Sequence, residues 1–235
     1  KSAFELSEKY DTPVLLRMCT RIAHSQCVVE IGEREEAPLK DYVKQPSKYI
    51  MMPGYAKLRH PVVEERTEKL KALAEEGPYN RAEYAAGNEI GIITSGCSYL
   101  YVKEVFGDSV SVLKIGMPNP LPEKLIRDFA AKVKKLYVIE ELDPIIENHV
   151  KALGIEVTGK GLFSAIGEFS QKTIRDAFIK EGYAVKDVPE AQGEAPAVPG
   201  RPPMMCSGCP HRGMYYTLVK MGLTVLGDIG CYTLG

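Results

Sequence analysis

Residues 89–115 read EIGIITSGCSYLYVKEVFGDSVSVLKI, and the succession of patterns inside this stretch decides the fold. Residues 89–94 are a short apolar run closed by the turn pair Ser95-Gly96. Residues 98–106 place apolar side chains at helical spacing, and 109–115 return to an apolar run that stops at Gly116-Met117-Pro118-Asn119-Pro120. Strand, helix and second strand in succession form the crossover unit from which parallel sheets are built. Further along, the spacing predicts a helix over 123–134, a strand over 136–139, a helix over 145–153, a strand over 155–158 and an amphipathic helix over 164–181. The fold class expected is therefore α/β, a parallel-rich sheet with helices packed on its faces.

Outward from this core the chain changes character. On the amino-terminal side, residues 3–10 read as the end of a helix, and Asp11-Thr12-Pro13 leads into the apolar run 14–19, which reads as a buried strand opening onto the polar groups 20–25. Residues 33–38, charged and closed by Pro38, read as a boundary, and 62–76 as a charged helix with a solvated face. On the other side, residues 184–203 hold five prolines among Ala, Gly, Glu and Gln, with no apolar period, and read as a linker. Residues 204–235 then read as a loop, a helix over 213–221, a strand over 223–226 and a glycine turn. A stretch that short cannot bury its own apolar face, so the expectation is a chain that is cut mid-fold at both ends.

Composition excludes several classes. Among 235 residues, 30 Lys and Arg face 31 Asp and Glu, a net charge of −1 that argues against a nucleic-acid surface. Charges, Gly or Pro interrupt every apolar run before the roughly 18 residues that a membrane span needs. Six cysteines are too sparse for a disulfide scaffold, which points to a reducing, cytoplasmic setting. Cys19, Cys27 and Cys97 lie in or beside apolar segments and read as buried structural thiols. Glu140-Glu141, at the end of a strand, reads as solvated.

The densest reactive cluster is Arg201-Pro202-Pro203-Met204-Met205-Cys206-Ser207-Gly208-Cys209-Pro210-His211-Arg212-Gly213. Cys231 follows in Gly227-Asp228-Ile229-Gly230-Cys231-Tyr232-Thr233, a glycine-flanked turn able to fold back onto the loop of the first two cysteines. Two thiolates separated by two residues, with glycine permitting the tight turn, suit one metal or two corners of a cluster. Four readings stay open on spacing alone. They are an iron–sulfur cluster with one outside ligand, zinc held by Cys206, Cys209, His211 and Cys231, a redox pair, and thiols without metal.

These two blocks resemble the opening of the thiamine-diphosphate-binding domain in alpha subunits of the indolepyruvate:ferredoxin oxidoreductases. The middle of the chain is similar to the transketolase carboxyl-terminal-like domain of those subunits, through Ile92-Ile93-Thr94-Ser95-Gly96, Leu113-Lys114-Ile115-Gly116, Pro120-Leu121-Pro122 and Val138-Ile139-Glu140-Glu141. Pro13-Val14-Leu15-Leu16-Arg17, with Thr20-Arg21 and His24-Ser25, is similar to the end of the pyrimidine-binding domain. The resemblance implies four parts: the tail of the pyrimidine-binding domain (1–36), the transketolase carboxyl-terminal-like domain (41–183), the linker (184–203), and the start of the thiamine-diphosphate domain (204–235). It implies oxidative decarboxylation of aryl pyruvates such as indolepyruvate to aryl-acetyl-CoA, with ferredoxin taking the electrons and coenzyme A the acyl group.

The implied cofactors are thiamine diphosphate, Mg2+ and a 4Fe-4S cluster. The implied partner is a beta subunit, in a hetro-oligomer without nucleic acid or membrane. Carried over by position, Cys206, Cys209 and Cys231 would ligate the cluster. His211, Asp228, Gly230 and Tyr232 would face the thiamine cofactor. Ser207 stands where the family more often has proline, and Pro210-His211-Arg212 replaces a Gly-His. Arg21 and His24 resemble an Arg-Thr-Ser-His element of relatives, but a strand-end arginine is often only a salt-bridged surface group, and that reading is preferred. No residue of this stretch is assigned to catalysis, and the glutamate and magnesium motifs of the family are expected outside it, so the stretch alone should be inactive. Two other readings are a non-oxidative thiamine-dependent 2-oxoacid decarboxylase and a zinc-stabilised, non-enzymatic interaction module.

Overall fold

A computed structural model describes all residues except 35, 37, 38, 40, 186–196, 198, 201, 228 and 235. The chain divides into two compact units, Lys1–Val188 and Pro189–Gly235. The expected linker falls largely on residues outside those described.

In the first unit, β1 (Asn80–Glu83), β2 (Ile90–Ser95), β3 (Ser111–Ile115) and β4 (Lys135–Ile139) form one sheet in the order β1-β3-β2-β4. β2 runs parallel to both β3 and β4, and β1 is antiparallel to β3 at the edge. The α/β class and parallel-rich sheet expected from residues 89–115 are present. β2 is central because its Ile-Gly-Ile-Ile-Thr core is buried on both faces, the pattern of a strand covered by helices on two sides.

Strand alternation sorts the core into two layers. Ile90 and Ile92 of β2, Val112 of β3, and Tyr137 and Ile139 of β4 point to one face. There they meet α5 (Ser98–Phe106) and α8 (Gln171–Lys180), with Phe178 wedged between Phe106 and Tyr137 at ring-centroid distances of 4.8 and 4.9 Å. Ile93, Leu113, Ile115, Leu136 and Val138 point to the other face and meet α6 (Glu123–Ala130) and α7 (Ile145–Ala152). Gly91 is needed where Val133 crosses this second face, because a Cβ would lie 2.7 Å from a Val133 methyl.

Helix starts are fixed by distant carboxylates. The residues preceding α6 and α7 are Pro122 and Pro144, which offer no capping side chain. Glu75, at the end of α4 (Pro53–Glu76), accepts from the amides of Lys124 and Leu125, both at 2.8 Å. Glu140, just past β4, accepts from the amides of Ile146 and Glu147, both at 2.9 Å. Each carboxylate satisfies two of the orphan donors of a helix N-terminus.

Several expectations need correction. The run 14–19 is not a strand: Leu15 is 90% and Leu16 72% exposed, and no strand pairs with it among the described residues. The polar stretch after it forms α2 (Thr20–His24). An apolar run becomes a strand only where a sheet edge is available, and this sheet does not extend there. Residues 155–158 contribute one parallel bridge, Thr158 to Tyr137, in place of a strand. The helix expected over 164–181 begins only at Gln171, where the Ser170 hydroxyl accepts from the Thr173 amide at 3.2 Å and Gly167 has φ 88° just upstream. The charged helix starts earlier than its charges, at Pro53, and continues past Pro61 with only Ala74 buried. Among the described residues, the other helices of this unit are α1 (Ser2–Tyr10) and α3 (Pro46–Tyr49).

In the second unit, α9 (His211–Lys220) buries none of its residues, and a 3-10 turn covers Cys231–Leu234. Residues 223–226 form no strand, and Leu226 is exposed. No described helix is long and apolar enough to cross a membrane.

Candidate functional site

Two clusters bear chemistry, one in each unit. In the second unit, the Cys206-Ser207-Gly208-Cys209 loop is a tight turn that the Cys209 amide closes by donating to the Cys206 carbonyl at 3.1 Å, with Gly208 at φ 73°. A non-glycine residue there would be strained, which explains the glycine between the thiols. Arg212 ties the loop from below, donating to the Met205 carbonyl at 2.7 Å. The Cys209 Sγ lies 3.4 Å from His211 Nδ1, a sulfur and a nitrogen donor side by side at the start of α9.

The glycine turn folds back on this loop. The Tyr232 ring meets His211 edge-on at 5.3 Å, and Tyr215 packs against both at 6.3 and 6.4 Å. The structure therefore brings together two of the candidate cofactor-facing residues, His211 and Tyr232. The Gly230 carbonyl accepts from the Thr233 amide and hydroxyl. Asp228 lies outside the described residues. Cys206 and Cys231 are exposed and Cys209 is half-buried. Three thiols with one imidazole are the donor chemistry of a soft metal or an iron–sulfur cluster. Among the described residues, no three His, Cys, Asp or Glu side chains are gathered around one point that could hold an ion.

In the first unit, the carboxyl ends of β2 and β4 carry Cys97 and the pair Glu140-Glu141, at the sheet edge where open α/β folds place ligands. The solvated reading of Glu140 is corrected here: it is 8% exposed and caps α7, and burial pushes its carboxyl above the ordinary value despite two amide donors and the nearby Lys160 ammonium. Glu141 turns the other way. It accepts from Arg21 at 2.5 Å and from the Phe169 amide at 2.7 Å.

Arg21 spans this edge. Its guanidinium donates to the Tyr101 hydroxyl at 2.6 Å and to the Phe169 carbonyl at 2.8 Å, and pairs with Glu168 at 3.4 Å. The salt-bridged reading of Arg21 therefore holds, with the addition that its partners come from three different segments. His24 is exposed. The buried-thiol reading fails for Cys27, which is exposed, while Cys19 and Cys97 are half-buried and face each other, Sγ to Sγ, at 3.6 Å. No local pattern in the sequence pairs them, since the contact depends on Arg21, two residues from Cys19, being anchored at this sheet edge.

An α/β unit with this parallel order is common to many enzymes, and what narrows the class is descent: the chain is related to oxidoreductase subunits. It is homologous over its whole length to the indolepyruvate oxidoreductase subunit IorA. It is 36% identical over 255 residues to that of Methanothermobacter thermautotrophicus, covering 99% of this chain and 41% of that protein. It is 35% identical over 255 residues to that of Archaeoglobus fulgidus and 34% identical over 260 residues to that of Pyrococcus horikoshii, covering 100% of this chain and 41% and 40% of those proteins. The chain thus spans about two fifths of the length of these relatives. Among solved structures, a 2-oxoglutarate:ferredoxin oxidoreductase from Magnetococcus marinus, with 2-oxoglutarate, coenzyme A and succinyl-CoA bound, is similar at a TM-score of 0.43. It is 21% identical, covering 56% of this chain and 24% of that one. No family model matches the chain.

Proposed function

We propose that this chain is part of an alpha-type subunit that oxidatively decarboxylates 2-oxoacids of the aryl pyruvate class, indolepyruvate among them. The acyl group would pass to coenzyme A and the electrons to ferredoxin. The observation that carries the proposal is the whole-length homology to subunits named for indolepyruvate oxidoreduction. The convergence of His211 and Tyr232 at the cysteine loop supports it, because this constellation is where the resemblance places the cofactor. A beta subunit as partner, assembled into a hetero-oligomer in the cytoplasm, belongs to the same proposal.

In this reading Cys206, Cys209 and Cys231 would hold a 4Fe-4S cluster, with one further ligand from outside these three. His211, Asp228, Gly230 and Tyr232 would line the side of the site that receives thiamine diphosphate, and Mg2+ would accompany that cofactor. When bound, thiamine supplies the carbanion chemistry of decarboxylation and the cluster a one-electron path. The protein's share is positional. Gly208 permits the tight turn between the two thiols, Arg212 ties that loop through the Met205 carbonyl, and the Tyr232 ring packs against the His211 ring.

The test uses the full-length protein with its partner subunit, purified anaerobically. Indolepyruvate and coenzyme A together should drive ferredoxin reduction. Cys206→Ala, Cys209→Ala and Cys231→Ala should each lower the iron count by about one cluster while carbon dioxide release survives in part, since it precedes electron removal. An unchanged iron count in all three variants refutes the ligand assignment. Zinc in place of iron in the wild type would instead favour the sulfur–imidazole set around Cys209 and His211 as a zinc site. Carbon dioxide release without any reduction of ferredoxin would favour the non-oxidative decarboxylase.

A further inference from the structure

Cys19 and Cys97 are 78 residues apart in sequence, and their sulfurs lie 3.6 Å apart. Each is held by an independent device. Cys97 follows Gly96, whose φ of 55° turns the chain sharply from the end of β2 into α5, so the thiol is fixed at the carboxyl edge of the central strand. Cys19 stands at the start of α2, two residues before Arg21, and the hydrogen bonds of Arg21 to Tyr101, Phe169 and Glu141 moor that segment over the same edge. The mooring does not depend on the thiols, so the pair stays in register whether or not they react.

A disulfide has its sulfurs about 2.05 Å apart, so closing this one needs a movement of about 1.6 Å, within the reach of χ1 adjustments at two half-buried side chains. We infer that Cys19 and Cys97 form a reversible redox-sensitive pair, oxidised to an intrachain disulfide by small-molecule disulfides. The Cys19 thiolate attacks one sulfur of the oxidant, breaking its S–S bond and releasing one thiolate. The Cys97 thiolate then attacks the Cys19 sulfur of the mixed disulfide and releases the second. Two S–H bonds are lost and one S–S bond is formed, the protein giving up two electrons while the oxidant is reduced to two thiols.

The order of attack follows from the surroundings. A hydrogen bond from the Ile22 backbone, then that with Cys97, hold the Cys19 thiol below its ordinary value, and burial pushes the Cys97 thiol up. Cys19 is thus the group that meets the oxidant and Cys97 the group that resolves the adduct. Once closed, the bond locks the segment bearing Arg21 onto the carboxyl edge of β2. This assignment is independent of the cysteine loop in the second unit.

The experiment equilibrates the full-length protein, under argon, with mixtures of oxidised and reduced glutathione. Free thiols are then blocked with N-ethylmaleimide, and the protein is digested with trypsin without reduction. Cleavage after Arg17, Arg21, Arg81 and Lys103 should yield peptide 18–21 linked to peptide 82–103, lost on addition of dithiothreitol. In the reduced wild type, Cys19 should react with the maleimide at least about tenfold faster than Cys97. Cys97→Ser should leave Cys19 carrying one glutathionyl group. The wild-type peptide map decides the matter without any variant. If Cys19 is found bridged to another cysteine, or if exposed Cys27 is glutathionylated while Cys19 and Cys97 both remain free, the inference is overturned.

Discussion

Replacing Glu140 with alanine should uncap α7 and leave two buried amides, those of Ile146 and Glu147, with no acceptor. Each unsatisfied donor costs about 1–3 kcal/mol, so the pair costs about 4 kcal/mol at mid-range. Against this stands relief from burying a carboxylate that is 8% exposed, which returns part of the loss and leaves about 3 kcal/mol. The pH dependence has a definite sign. Burial raises the folded-state value above the ordinary 4.5, so the folded protein holds the proton more tightly than the unfolded one. The stabilisation from Glu140 is then full below about 4.5 and declines as pH rises through the raised value. The penalty for Glu140→Ala should be larger at acid pH than at neutral pH. Hydrogen exchange of the α7 peptide in the full-length protein is the assay, with wild type and variant compared at each pH. Exchange should accelerate by about a hundredfold at neutral pH, 1.4 kcal/mol being tenfold. Acceleration below about fivefold, or a penalty that grows with pH, would refute the account of Glu140 as a buried cap.

Gly91→Ala should destabilise the first unit by about 1–3 kcal/mol, because the new Cβ meets Val133 methyls at 2.7 and 2.9 Å. Urea denaturation should show Val133→Ala recovering most of that loss in the double variant, and additive losses would exclude the clash. Arg21→Lys keeps the charge but loses the planar fork that serves Tyr101, Phe169 and Glu141 at once, a loss of about 2 kcal/mol at a side chain 29% exposed. Trypsin should then cut after Arg17 about thirtyfold faster than in wild type, and an equal rate would show that Arg21 does not moor the segment.

The succession of β2, α5, β3, α6, β4 and α7 could be read from the chain because each of these elements carries its own period and its own turn residues. Burial on both faces follows from the unbroken Ile-Gly-Ile-Ile run of β2. Ser95-Gly96 and the prolines after Ile115 mark strand ends without help from any neighbour. The cysteine loop was legible for the same reason, since Gly208 between two thiols is a local arrangement. What local pattern could not supply was a partner. β1, Asn-Arg-Ala-Glu, has no apolar alternation at all, and it is a strand because β3 offers it an edge and Asn80 bonds the carbonyl of Ala74 and the amides of Gly116 and Met117. Residues 14–19 have the apolar run, but among the described residues no strand edge pairs with it, so they are not a strand. Glu140 and Glu141 are identical neighbours in sequence. One became a buried helix cap and the other the anchor of Arg21 because successive residues leaving a strand point to opposite sides. Cys19 and Cys97 gave no sign of each other, because a contact across 78 residues exists only once the sheet edge and the arginine that spans it are in place.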